Sequence, residues 1–101
     1  MVLGVTDKEQ KIIEDILDAY ADNYSFYYYG SRVKGNFEKT SDLDVLIKGE
    51  KEMPLLILSE MKEKFDDSYL PYIVNFSDYH NITPDFYEHI KQDLVNYKTN
   101  A

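Results

Sequence analysis

The chain has no cysteine and no tryptophan, and only three prolines and four glycines in 101 residues. Without cysteine, disulfide staples and thiolate zinc sites are excluded. Basic residues are also scarce. Eleven Lys and Arg face 19 Asp and Glu, a formal net charge of −8. Unaided binding to nucleic acid draws most of its affinity from basic side chains on phosphates, so direct nucleic-acid binding is not expected. Docking on an anionic membrane is disfavoured for the same reason. No apolar run approaches the roughly 18 residues of a membrane span. The N-terminal stretch also lacks the basic region and longer apolar core of a signal peptide. The expected setting is cytoplasmic, with no membrane contact.

What is present suits one compact domain. Hydrophobic residues make up 44% of the chain, enough to fold rather than remain a polar tail. A chain of this length buries roughly 60–70% of the surface its unfolded form exposes, so residues 1–101 are read as a single domain. Thr6 and Glu9 form a capping box, and Ile12, Ile13, Ile16, Leu17 and Tyr20 follow at helical spacing, predicting a helix to about Asp22. The aromatic run 24–29 predicts a buried strand ended by Gly30, with a short helical turn over 31–34. Residues 41–48 predict a second strand, in which Leu43, Val45 and Ile47 share one face and Asp42 and Asp44 the other. Pro54 opens a helix carrying Leu55, Leu58, Met61, Lys62 and Phe65. Residues 70–76 predict a third strand. Thr83-Pro84 cap and open a last helix with Phe86, Ile90, Leu94 and Tyr97 inward. The expected fold class is α+β, close to α/β, with a small mixed sheet of about three strands and about four helices.

One constellation carries chemistry. Gly30-Ser31 is followed, after ten residues, by Asp42-Leu43-Asp44. A glycine at a strand end permits a tight turn and close approach of phosphate oxygens to the backbone. Ser31 adds a hydroxyl, and a helical turn after it aims free amides at the same anion. Two aspartates spaced by two on a strand repel one another until a divalent cation relieves them. Mg²⁺ is usually held by one or two carboxylates together with substrate phosphates and water. The implied chemistry is phosphoryl or nucleotidyl transfer. Arg32 and Lys34 are candidates for the same phosphates, with solvation the equal alternative, and Lys34 is the slightly favoured one.

The segments Tyr29-Gly30-Ser31-Arg32-Val33-Lys34-Gly35 and Thr40-Ser41-Asp42-Leu43-Asp44-Val45 resemble the signature of the DNA polymerase β-like nucleotidyltransferase superfamily. Within it the chain is most similar to the minimal nucleotidyltransferases, bacterial proteins encoded beside HEPN-domain partners. The resemblance covers nearly the whole chain. It implies the superfamily's palm fold, Gly30 and Ser31 at the triphosphate, and Asp42 and Asp44 as catalytic metal ligands. It implies Mg²⁺ as cofactor and ATP as the usual nucleotide. It further implies a HEPN-type toxin as partner, neutralised by transfer of AMP to a hydroxyl. Active relatives place a third carboxylate on the next strand, and this chain has Asn75 there. Asparagine can still ligate a metal through its oxygen but cannot act as a general base. Asp78 could take that role only if the strand bulged near Ser77.

The same residues admit plainer roles. Asp42 and Asp44 could be a solvated strand face, and Gly35 a turn residue. His80 and His89 lack any metal-ligand pattern and read as surface or packing residues. Tyr27, Tyr28 and Tyr29 read as strand and core rather than a base-stacking platform. The leading expectation is a Mg²⁺-dependent transferase. The alternative is a catalytically weak or silent module that binds nucleotide or neutralises a partner by contact.

Overall fold

In the computed structural model, which describes residues 2–98, the chain forms a four-stranded sheet with helices on both faces. Helix α1 (Asp7–Leu17) starts at the expected capping box: Thr6 Oγ1 accepts from the Glu9 amide, and Glu9 Oε1 accepts from the Thr6 amide. It stops earlier than expected, tightening into a 3-10 turn over Asp18–Tyr20. Asp18, Asp22 and Asn23 favour turn conformations over helix interior, which explains the early end. Strands β1 (Tyr24–Tyr29) and β2 (Leu43–Gly49) pair antiparallel, and between them lies the four-residue helix α2 (Ser31–Lys34). Helix α3 (Leu55–Asp66) then leads to β3 (Val74–Asp78), parallel to β2.

The third strand starts four residues later than expected. Pro71 cannot donate to a ladder and the chain bends at Pro71 and Tyr72, so β3 begins only at Val74. The C-terminal reading needs a larger correction. Helix α4 covers only Pro84–Ile90, closed by a 3-10 turn at Lys91–Asp93. Leu94 and Tyr97 are therefore not helical. A fourth strand, β4 (Val95–Asn96), pairs antiparallel with β1, giving the order β3-β2-β1-β4. A two-residue strand is too short to show period-2 alternation, and Tyr97 is drawn in by tertiary packing: it stacks edge-on against Phe26 at 5.7 Å and donates to Asp18.

The sheet divides the apolar residues as the alternation of β2 predicts. Leu43, Val45 and Ile47 join Ile13 and Leu17 of α1 and Met61 and Phe65 of α3 in the main core. Leu46, on the opposite face, packs with Tyr29 and Ile90 under α4 in a smaller cluster. Asp44 and Leu46 share that second face, which α4 covers only in part. No helix among the described residues is long and apolar enough to cross a membrane.

Asp78 belongs to the fold rather than to the Asp42–Asp44 pair. It is buried at the end of β3, opposite Ile47. One carboxylate oxygen accepts from the Met53 amide and the other from the His80 amide, both at 2.9 Å. It ties the β3 turn to the loop before α3. Replacing it by alanine would strand two amides. Asp78→Ala is expected to lower unfolding stability in urea by about 2–6 kcal/mol, because each of the two amides left without a partner costs about 1–3 kcal/mol. An unchanged urea midpoint would show that these contacts do not hold the loop.

Candidate active site

Four elements meet around Asp44. The antiparallel register sets Tyr29 opposite it on β1, and the parallel register sets Asn75 opposite it on β3. Asp42 lies just before β2 and is exposed. The Asn75 side-chain amide donates to Asp42 Oδ2 at 2.8 Å and reaches Asp44 Oδ1 at 3.5 Å. Asp42, Asp44 and Asn75 thus form one oxygen-rich cluster. Burial pushes the Asp44 carboxyl above the usual carboxylate range; the Asn75 hydrogen bond opposes this, and the neighbouring Asp42 charge adds to it. The site holds a partly desolvated acid beside a second acid, the arrangement a cation would relieve.

Gly30 occupies a backbone conformation of φ 86°, ψ −158°, a region open essentially to glycine alone. A Cβ there would also collide with the Asp44 carboxylate. The turn therefore brings the backbone of the Gly30-Ser31 loop directly against Asp44. Ser31 follows as the first residue of α2, half-buried. Lys34, at the far end of α2, is exposed and pairs with Asp93 at 3.8 Å.

Arg32 has a role that the sequence did not reveal. Its side chain is only 1% exposed, so it does not reach phosphates. Nε donates to the Ser41 carbonyl and Nη2 to the Lys39 carbonyl, both at 3.0 Å. The guanidinium is flanked by Tyr72 at 4.1 Å and Phe37 at 5.0 Å. Ser41 Oγ in turn accepts from the Glu38 amide at 2.8 Å. Together these contacts fix the loop that delivers Asp42 to the site. Nothing local in the sequence separates a buried Arg32 from a solvated one, because its partners are backbone carbonyls and distant aromatic rings.

The histidines stay outside the cluster, as expected. His80 lies 2.8 Å from the Gly49 carbonyl at the opposite end of β2. Among the described residues no three His, Cys, Asp or Glu side chains converge on a metal position. At this sheet position the third group is Asn75.

The nucleotidyltransferase domain model matches residues 9–99. The chain belongs to the nucleotidyltransferase domain family. It is 36% identical over 93 residues to the "Probable protein adenylyltransferase MntA" of Haemophilus influenzae, a match covering 92% of this chain and 82% of that relative. A solved structure described as a toxin–antitoxin with AMP-PNP superposes with a TM-score of 0.72. It covers 91% of this chain and 74% of its own at 16% identity, a likeness of fold. The palm-type α+β architecture is thus shared, with four strands in place of about three.

In this nucleotidyltransferase the donor set fits a hard divalent cation. Carboxylate and amide oxygens suit Mg²⁺, which commonly binds one or two carboxylates and takes its remaining ligands from phosphates and water. Asn75 would present its oxygen after its terminal amide turns over. Gly30→Ala is expected to weaken Mg²⁺–ATP binding by at least about tenfold. The strained backbone alone costs about 1–3 kcal/mol, and the added methyl displaces Asp44. Calorimetric titration of the folded variant checks this; wild-type affinity would show that the loop has room to spare.

Proposed function

We propose that the chain, acting as one minimal domain over residues 1–101, transfers AMP from ATP to a hydroxyl acceptor. The acceptor would lie on a HEPN-type toxin, so that the chain acts as antitoxin. The observation that carries this reading is the convergence of Asp42, Asp44 and Asn75 beside the Gly30 turn. Family membership and the adenylyltransferase name of the 36% identical relative support it. The toxin–antitoxin description of the structural neighbour points to the same kind of partner and nucleotide.

Asp42, Asp44 and Asn75 would hold Mg²⁺, which supplies charge neutralisation and orientation of the triphosphate. Gly30 offers its backbone to the β- and γ-phosphates without a side chain in the way, and Ser31 offers a hydroxyl. Lys34 is the candidate cation for the same phosphates, in exchange for Asp93. The acceptor oxygen attacks the α-phosphorus, a new oxygen–phosphorus bond forms, and the bond to the β-phosphate oxygen breaks. Pyrophosphate leaves, and the hydroxyl proton passes to solvent because Asn75 cannot take it.

A second reading rests on that same Asn75. With an amide where a carboxylate would act as base, the site could bind nucleotide and neutralise its partner by contact alone. Calorimetry of ATP with and without Mg²⁺ tests what the two readings share. Mg²⁺-dependent binding is expected in both, and its absence would overturn the site assignment.

A further inference from the structure

Helical spacing sets Phe86 inward with Ile90, yet in the fold it is 38% exposed, because α4 covers the Asp44 face of the sheet only in part. Its ring meets Tyr29 edge to face, with centroids 6.0 Å apart and planes at 82°. Tyr29 stands directly opposite Asp44 in the antiparallel register, and its hydroxyl shares a 3.0 Å hydrogen bond with Ser77 Oγ on β3. Ser77 is two positions beyond Asn75 on the same face of that strand, about 7 Å along it. Phe86 therefore packs on a side chain that runs from the Asp44 position to the neighbour of Asn75, with more than a third of its own surface open. We infer that Phe86 is the stacking surface for the nucleobase, and that it favours a purine. The inference rests on the transferase reading and adds the base subsite to it.

The direction of the nucleotide follows from the register. Gly30-Ser31 ends β1, on one side of Asp44, and Asn75 lies on β3, on the other. With the β- and γ-phosphates at Gly30-Ser31 and the α-phosphorus at the metal, the sugar and base extend away from the β1 turn, toward β3 and α4. The flank of α4 on this side is marked at both ends. Phe86 meets Tyr29 at one, and Asp93, seven residues on and so on the same flank, pairs with Lys34 of α2 at the other. Tyr87 turns the other way, and its hydroxyl accepts from Lys48 Nζ at 3.2 Å. Lys48 lies four residues past Asp44, about 13 Å along β2, so the Tyr79–Tyr87 pair stands off the line of the nucleotide. Tyr29 itself is only 7% exposed, so Phe86 supplies the free aromatic surface beside the cluster. Stacking draws on ring area rather than charge, so the acidic chain does not oppose it, and a two-ring purine gains more than a one-ring pyrimidine.

The test titrates ATP, UTP and inorganic tripolyphosphate, each with Mg²⁺, into the full chain as wild type, Phe86→Ala and Phe86→Trp. Tripolyphosphate offers the phosphates without sugar or base. Phe86→Ala is expected to lower ATP affinity by at least about fivefold, the low end of base–aromatic stacking, and to leave tripolyphosphate affinity unchanged. The fold is kept, because alanine is the best helix former and the Thr83 cap holds the Phe86 backbone amide, which the variant retains. The wild type is expected to bind ATP at least about threefold tighter than UTP, a ratio that shrinks toward unity in Phe86→Ala. Phe86→Trp should keep ATP affinity. Because the chain has no tryptophan of its own, that variant also carries a single indole signal, which ATP should quench and tripolyphosphate should not. Equal losses of ATP and tripolyphosphate affinity in Phe86→Ala would overturn the inference, making Phe86 a support for the cluster through Tyr29. Unchanged ATP affinity in that variant would also overturn it and leave Phe86 to the acceptor. A wild type that binds UTP as tightly as ATP would overturn the purine preference. Failure of tripolyphosphate to bind the wild type with Mg²⁺ would instead contradict the metal-site reading, with the indole signal still deciding whether ATP stacks at this position.

Discussion

Replacing Asp42 and Asp44 together by alanine is expected to abolish Mg²⁺-dependent ATP binding and lower AMP transfer by about 10³-fold or more. The magnitude follows from charge. A bound metal supplies several kcal/mol of stabilisation to the triphosphate and the reacting phosphorus, and each 1.4 kcal/mol is a factor of ten. The fold should survive. Asp42 is exposed, and Asp44 is half-buried beside another acid with its pKa raised. A carboxylate whose folded pKa is raised contributes stability at low pH and loses it as pH rises through the folded pKa. Ionised Asp44 therefore opposes folding at neutral pH, and its removal should leave thermal stability equal or higher and flatten its dependence on pH above the ordinary carboxylate range. A folded double variant that still binds ATP with wild-type Mg²⁺ dependence would place the metal elsewhere.

Asn75→Asp is expected to move activity the other way. In the wild type the amide bridges the two aspartates as a donor. An aspartate there loses that hydrogen bond and sets three carboxylates together, so the metal-free protein should melt at lower temperature. Mg²⁺ should then raise the melting temperature by more than it does in the wild type, since the ion relieves the added repulsion. Transfer should rise by at least about tenfold, toward the 10²–10⁴ that a positioned general base contributes. Unchanged Mg²⁺ dependence and unchanged transfer would mean that Asn75 does not face the metal. Greater Mg²⁺ dependence with no gain in transfer would favour the module that acts by contact.

Much of this was legible in the sequence because the decisive signals are local. The Thr6–Glu9 capping box, the aromatic strand and the Leu43-Val45-Ile47 alternation each depend on neighbours a few residues apart, and each reappears in the structure. The Gly30 turn lies against Asp44 because a tight turn and a short loop join two strands that pair antiparallel. What failed depended on distant contacts. The fourth strand exists because residues 95–96 pair with Tyr27 and Tyr28 far back in the chain, and two residues carry no periodicity of their own. The sequence leaves Arg32 evenly between a phosphate contact and a solvated side chain, and the structure shows it buried instead. Its burial comes from Tyr72, 40 positions downstream. The place of Asp78 was open for a similar reason, since only the amides of Met53 and His80 show which way it points.

The central claim is transfer of AMP, and the position of a radiolabel tests it most directly. The chain, Mg²⁺ and the candidate HEPN toxin would be incubated with ATP labelled at the α-phosphate and, in parallel, at the γ-phosphate. Label on the toxin from the α-position alone, absent with the Asp42→Ala, Asp44→Ala variant, is the predicted result. Label from the γ-position would show phosphoryl rather than nucleotidyl transfer. No label from either, with Mg²⁺–ATP demonstrably bound, would contradict catalysis and leave a nucleotide-binding domain that acts by contact.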